Sequence, residues 1–203
     1  MWRKIITMVS KVKRIGLCTT LTLILSFIFL FKTQAIMGEE VLTCYNLNVK
    51  ETMCVCYTNM PMSQKGYFTN NNYHIIILKE GENICDMEQY SDATDATGLI
   101  DYKDKRIYIQ YFHDTELMEM NLYHELGHML DESNNFISET DDFDFIYEER
   151  EEFFSHFSYS TKHFTSSRRE CFAQMYSIYK LYPNWLSSNY GYIYNYFMIL
   201  EMK

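Results

Sequence analysis

Residues 114–134 read DTELMEMNLYHELGHMLDESN. Met118, Leu122, Tyr123, Leu126, Met129 and Leu130 recur at three- and four-residue spacing, the period of an amphipathic helix. Inside that helix His124-Glu125-Leu126-Gly127-His128 matches H-E-x-x-H. Residues four apart share one helix face, so both imidazoles can reach a single metal ion. Glu125 follows the first histidine directly and is placed to meet a water on the other side of that ion. Zinc lowers the pKa of such a water to about 7, and a neighbouring carboxylate can take its proton. The plainer alternative is a helix with two solvent-facing histidines.

Working outward, the preceding segments carry strand signals. Residues 73–79 (YHIIILK) form a β-branched run, expected as a buried strand. Residues 98–102 and 106–111 (RIYIQY) flank Lys103-Asp104-Lys105 as a hairpin, with alternation in the second arm. Residues 36–73 sustain neither period, and residues 91–96 (SDATDA) are turn-rich. After the central helix, residues 141–159 read as an acidic, aromatic helix with Phe145, Ile146, Phe153 and Phe157 on its apolar stripe. Ser167 caps a further helix that runs to Tyr182 and is ended by Pro183, and residues 190–202 read as a last helix. Strands first and helices after predict an α+β fold: a small mixed sheet, an edge strand packed on the active-site helix, and a mainly helical C-terminal half.

The amino terminus reads as a targeting segment. Arg3, Lys4, Lys11, Lys13 and Arg14 precede the uncharged apolar run 15–31, and Lys32-Thr33-Gln34-Ala35 follows it. This pattern predicts a secretory signal peptide over residues 1–35, with a retained signal anchor as the alternative. The 203 residues carry 18 basic and 27 acidic side chains, a net charge of -9. Residues 1–35 hold six of the basic residues and no acids, leaving 12 against 27, or -15, in a single domain over residues 36–203. That balance excludes a nucleic-acid footprint and disfavours stable membrane association once the signal is cut. Composition, at 47% hydrophobic and 22% charged, is that of a packed domain. Export permits disulfides. Two pairings are open, 44–54 with 56–85 or 44–56 with 54–85, with Cys171 expected as a buried thiol and a fully reduced chain as the alternative.

A catalytic zinc needs a third protein ligand. Glu148, twenty residues after His128, lies in the charged run 148–152, which suits a solvated face. Glu170, 42 residues after His128, lies in Ser167-x-x-Glu170, which also reads as a capping box. The residues alone leave both open. Asp131, one turn after His128, is within reach of a ligand it could orient, and is otherwise a surface residue.

Around residues 113–182 the chain resembles the anthrax lethal factor–like family of zincin metallopeptidases, which includes small secreted Pro-Pro endopeptidases. The resemblance rests on His124-Glu125-Leu126-Gly127-His128-Met129-Leu130-Asp131 and on Glu170-Cys171-Phe172-Ala173-Gln174. It implies a zincin-like fold, one catalytic Zn2+ held by His124, His128 and Glu170, and Glu125 as general base. It also implies RIYIQY as the edge strand along the cleft. The family's second glutamate is Gln174 here, a residue of the outer shell, and its oxyanion-stabilising tyrosine is His163, with Tyr159 as the rival donor. The implied activity is that of a secreted zinc metalloendopeptidase acting on a protein or peptide substrate through a zinc-activated water. The alternative from another class is a noncatalytic exported binding module on a decayed peptidase scaffold.

Overall fold

The structure is a computed structural model, and it describes residues 41–93, 95–157 and 162–202. The expected signal segment and Tyr159 lie outside the described residues, which form one compact unit. The chain enters through β1 (Leu42–Thr43), followed by α1 (Leu47–Thr58) and α2 (Met62–Asn70). Asn46 starts α1 by accepting from the backbone N–H groups of Asn48 and Val49. This helix was not legible because Val49, Met53, Cys56 and Tyr57 are buried while apolar Leu47 and Val55 face solvent, which blurs the period.

Three further strands, β2 (His74–Ile77), β3 (Gly98–Asp101) and β4 (Arg106–Ile109), complete a mixed sheet in the order β1-β2-β4-β3. β1 and β4 run parallel to β2, and β3 pairs antiparallel with β4, from Gly98 opposite Ile109 to Asp101 opposite Arg106. Asp101 shapes the hairpin turn by accepting from the backbone N–H groups of Lys103 and Asp104.

The sheet corrects one expectation. RIYIQY is not the edge: β4 lies between β2 and β3, and β3 is the edge strand. The reason is that β4 is apolar on both faces. Ile107 and Ile109 face the main core, while Tyr108 packs on Leu78 and Ile84, with Met87, Tyr90, Ala93 and Ala96 against them. A strand covered on both sides belongs inside a sheet.

The main core lies between Ile75, Ile77, Ile107 and Ile109 of the sheet and the helices behind it. Foremost among these is α3 (Thr115–Ser133), 19 residues long, capped by Asp114, whose carboxylate accepts from the N–H groups of Glu116 and Leu117. The expected helix over 141–159 is instead a 3-10 turn (Asp141–Phe143), α4 (Asp144–Glu148) and α5 (Arg150–Phe154). Arg150 breaks the run: it donates to the Tyr147 carbonyl and lies 4.1 Å over the Tyr147 ring, ending α4 in the middle of the acidic stretch. Phe143 and Phe154 are buried, whereas Phe145 is exposed. Then follow α6 (Arg168–Leu181), α7 (Pro183–Asn189) and α8 (Gly191–Glu201).

Neither disulfide pairing forms, since Cys44, Cys56 and Cys85 are free thiols, as is Cys171. Cys56 is instead turned into the core, where burial pushes its thiol up to about 12. No helix among the described residues is long and apolar enough to cross a membrane.

Candidate active site

The site begins with a close crossing of two helices. A Cβ on Gly127 would lie 2.8 Å from the Ala173 Cα, so only glycine at that position of HELGH lets α6 lie this near α3. One turn before Ala173, the same crossing aims Glu170 at the two histidines. Its Oε2 lies 3.1 Å from His124 Nε2 and its Oε1 lies 3.5 Å from His128 Nε2. Ser167 caps α6 by accepting from the Glu170 N–H, but the Glu170 carboxylate turns into the cleft and does not close a capping box. Glu148 is exposed on α4 and does not line the cleft.

Gln174, one turn after Glu170, accepts from His124 Nδ1 at 3.0 Å. That bond places a proton on Nδ1 and turns Nε2 toward Glu170, the ring orientation a metal ligand requires. Tetrahedral ligands at about 2.0–2.1 Å from zinc stand about 3.3 Å apart. The two histidine–Glu170 separations bracket that value, so the donor set suits a zinc ion.

Glu125 is almost fully buried on the other side of the histidines. Its Oε1 lies 2.6 Å from where a Cβ on Gly98 would stand, so the edge strand touches the carboxylate through a bare backbone. Burial raises the Glu125 pKa, against the pull of His124 and His128. Burial also pushes Glu170 up, but hydrogen bonds from His124 and His128, together with their charges, hold it far below the usual carboxylate range. For His124 burial acts downward, and the Glu170 hydrogen bond with the charge of Glu125 leaves its pKa raised.

His163 stands at the cleft mouth, two-thirds exposed, with its Nε2 2.8 Å from Glu170 Oε2. Asp131 does not reach either histidine. It is fully buried and accepts from the Ser138 N–H and hydroxyl, pinning the loop after α3, with Arg169 Nε 3.8 Å away. His128 Nδ1 is buried with no hydrogen-bond partner among the described residues.

Two cleft residues were missed from the sequence. Arg169 donates to the Tyr102 hydroxyl at 3.0 Å and lies over the Phe136 ring at 4.8 Å. Phe136 holds a left-handed φ of 57°, uncommon for a bulky side chain, to present that ring. Adjacency to Glu170 was the one available signal for Arg169, and Tyr102 carried none. Tyr102 and Arg169, with His124, Glu125, His128, His163 and Glu170, line a cleft of about 710 Å³ that also includes Ala93, Asp95 and Thr97.

No protein-family model and no curated protein matches the chain. Among solved structures it is similar to the Pro-Pro endopeptidase PPEP-2 from Paenibacillus alvei, with a TM-score of 0.63 and 16% identity. The likeness covers 80% of this chain and 98% of that one. The two share a fold. Its features here are the small mixed sheet, the edge strand β3 at the cleft, and the crossing of α3 with α6.

Proposed function

We propose that this chain is a secreted zinc metalloendopeptidase of zincin type, formed by residues 36–203 after removal of residues 1–35. The observation that carries the reading is that His124 and His128 each bring Nε2 to within 3.5 Å of the Glu170 carboxylate, one on each oxygen, with buried Glu125 beside them and an edge strand along the same cleft. The fold shared with a Pro-Pro endopeptidase supports it.

When bound by His124, His128 and Glu170, zinc supplies Lewis acidity and a nucleophilic water at neutral pH. Gln174 fixes the ring of His124 so that Nε2 stays committed to the site. Glu125 accepts the proton of the attacking water on its carboxylate and passes it to the leaving amine, and its burial brings its pKa toward the range where both transfers run. The outer edge of β3 pairs with extended peptide backbone by strand addition. His163 or Tyr159 donates to the developing oxyanion. Nucleic acid is not a partner of a surface carrying 12 basic against 27 acidic residues.

The test is a degenerate peptide pool, with proline-flanked and basic members, incubated with the protein and with Glu125→Ala and read by mass spectrometry. Bonds cut only by the unsubstituted protein, and spared after chelation, are the expected result. Identical patterns from the two proteins, with zinc bound in both, would sink the enzyme reading in favour of a noncatalytic binding module.

A further inference from the structure

Resting on the zinc reading above, we infer that His163 is a fourth ligand that closes the metal site at rest. The donor atoms of His124, His163 and Glu170 all lie within 4.8 Å of one another. His163 Nε2 is 2.8 Å from Glu170 Oε2, and His124 Nε2 is 3.1 Å from the same oxygen. Both separations fall within about 0.5 Å of the roughly 3.3 Å edge of a tetrahedral zinc site. With His128 Nε2 at 3.5 Å from the other oxygen, Oε1, three imidazole nitrogens face one carboxylate, where an open catalytic site needs only two.

The placement of His163 is built into its loop. The His163 carbonyl accepts from the N–H of Ser166 at 3.1 Å and from its hydroxyl, which folds the segment into a tight turn. Next to it, Phe164 is anchored between the His124 ring at 5.6 Å and the Phe154 ring at 6.0 Å. The turn thus carries its own apolar anchor, while the imidazole stands exposed over the donors. A simple ion pair between His163 and Glu170 would explain the 2.8 Å contact alone. It would also set His163 in competition with the metal for that carboxylate, which gives the two readings opposite signs.

A four-ligand N3O set leaves no open position, so such a site is latent until His163 is displaced. Its exposure makes displacement by an entering peptide feasible without rearranging the core. The same nitrogen, once released, is then free to donate to substrate.

The experiment counts imidazoles on the metal. X-ray absorption on the purified, zinc-loaded full chain is expected to show three, falling to two in His163→Ala and His163→Gln. Chelator competition should show zinc bound at least about tenfold more weakly by both variants. Two imidazoles in all three proteins, with zinc affinity unchanged or tighter in the variants, would overturn the His163 assignment and leave the zinc reading standing. A chain that binds no stoichiometric zinc overturns both. Melting of the metal-free proteins separates ligand loss from misfolding, since an exposed loop residue should leave it within a few degrees of the parent.

Discussion

Gly98 governs the Glu125 carboxylate from a neighbouring strand. Gly98→Ala places a methyl group 2.6 Å from Glu125 Oε1, so the carboxylate must move. The expected outcome is a loss of kcat on the order of 100-fold, the scale of an ångström's misplacement, with thermal stability little changed. Steady-state kinetics beside a melting curve would check it, and full activity would show that Glu125 yields without consequence. The two candidate third ligands separate as cleanly. Glu170→Ala should abolish zinc retention through dialysis, whereas Glu148→Ala, at the exposed end of α4, should keep both zinc and activity. At this scale the sequence was informative where spacing encodes chemistry, at His124, Glu125 and His128, but weaker for Glu170, which needed a resemblance to prefer it over Glu148. It was silent on Gly98 and Tyr102, because nothing local records a contact made across the fold, and offered for Arg169 only its place beside Glu170. Buried thiols give a pH test. Burial pushes Cys56 and Cys171 up to about 12, so the unfolded thiols ionise first. Their contribution to stability is complete below an ordinary thiol pKa of about 8.5 and is lost as the pH climbs toward 12. Accordingly, iodoacetamide at pH 8 should label neither residue in the native protein and both after unfolding. Rapid native labelling of either would contradict the burial.

Helix crossing decides whether the residues meet. Gly127→Ala sets a Cβ 2.8 Å from the Ala173 backbone, which cannot rotate away, so α6 must back off from α3. Overpacking of this kind costs about 1–3 kcal/mol. Here it should also weaken zinc binding, because Glu170 and Gln174 retreat with α6. Urea unfolding and chelator competition on one variant would show both effects, and a stability loss with unchanged metal affinity would detach the crossing from the site. Elements were legible where one face is apolar and the other polar. The central helix, the hairpin and the capped helix from Ser167 meet that condition and form near the expected residues. β4 misled because its second face is covered by Leu78 and Ile84, which precede the hairpin, and α1 because it exposes Leu47 and Val55. The acidic stretch broke at Arg150, whose bond to the Tyr147 carbonyl no periodicity reveals.

Across the whole molecule, the last helix is tied to the centre by one carboxylate. Glu201 accepts from Lys180 at 2.8 Å and from the Tyr179 hydroxyl at 3.1 Å, and lies 2.9 Å from the hydroxyl of buried Tyr176. Lys180 is largely buried, so Glu201→Ala takes away its carboxylate, leaves it the Asn59 carbonyl, and should cost about 3 kcal/mol in urea unfolding. A cost under about 0.5 kcal/mol would mean that water replaces the carboxylate freely. The same architecture stands at 16% identity with PPEP-2, so two very different sequences reach one fold. The edge strand has a consequence for recognition. β3 is four residues long, about 13 Å at the usual rise, and side chains alternate between its faces. A peptide laid along it finds backbone partners for a very short stretch, and about two of its side chains point into the cleft. On the proposed function, sequence discrimination falls to the walls of the trough, above all Ala93, Asp95, Ala96 and Thr97, so exchanging those residues should retarget the protein while leaving its chemistry intact.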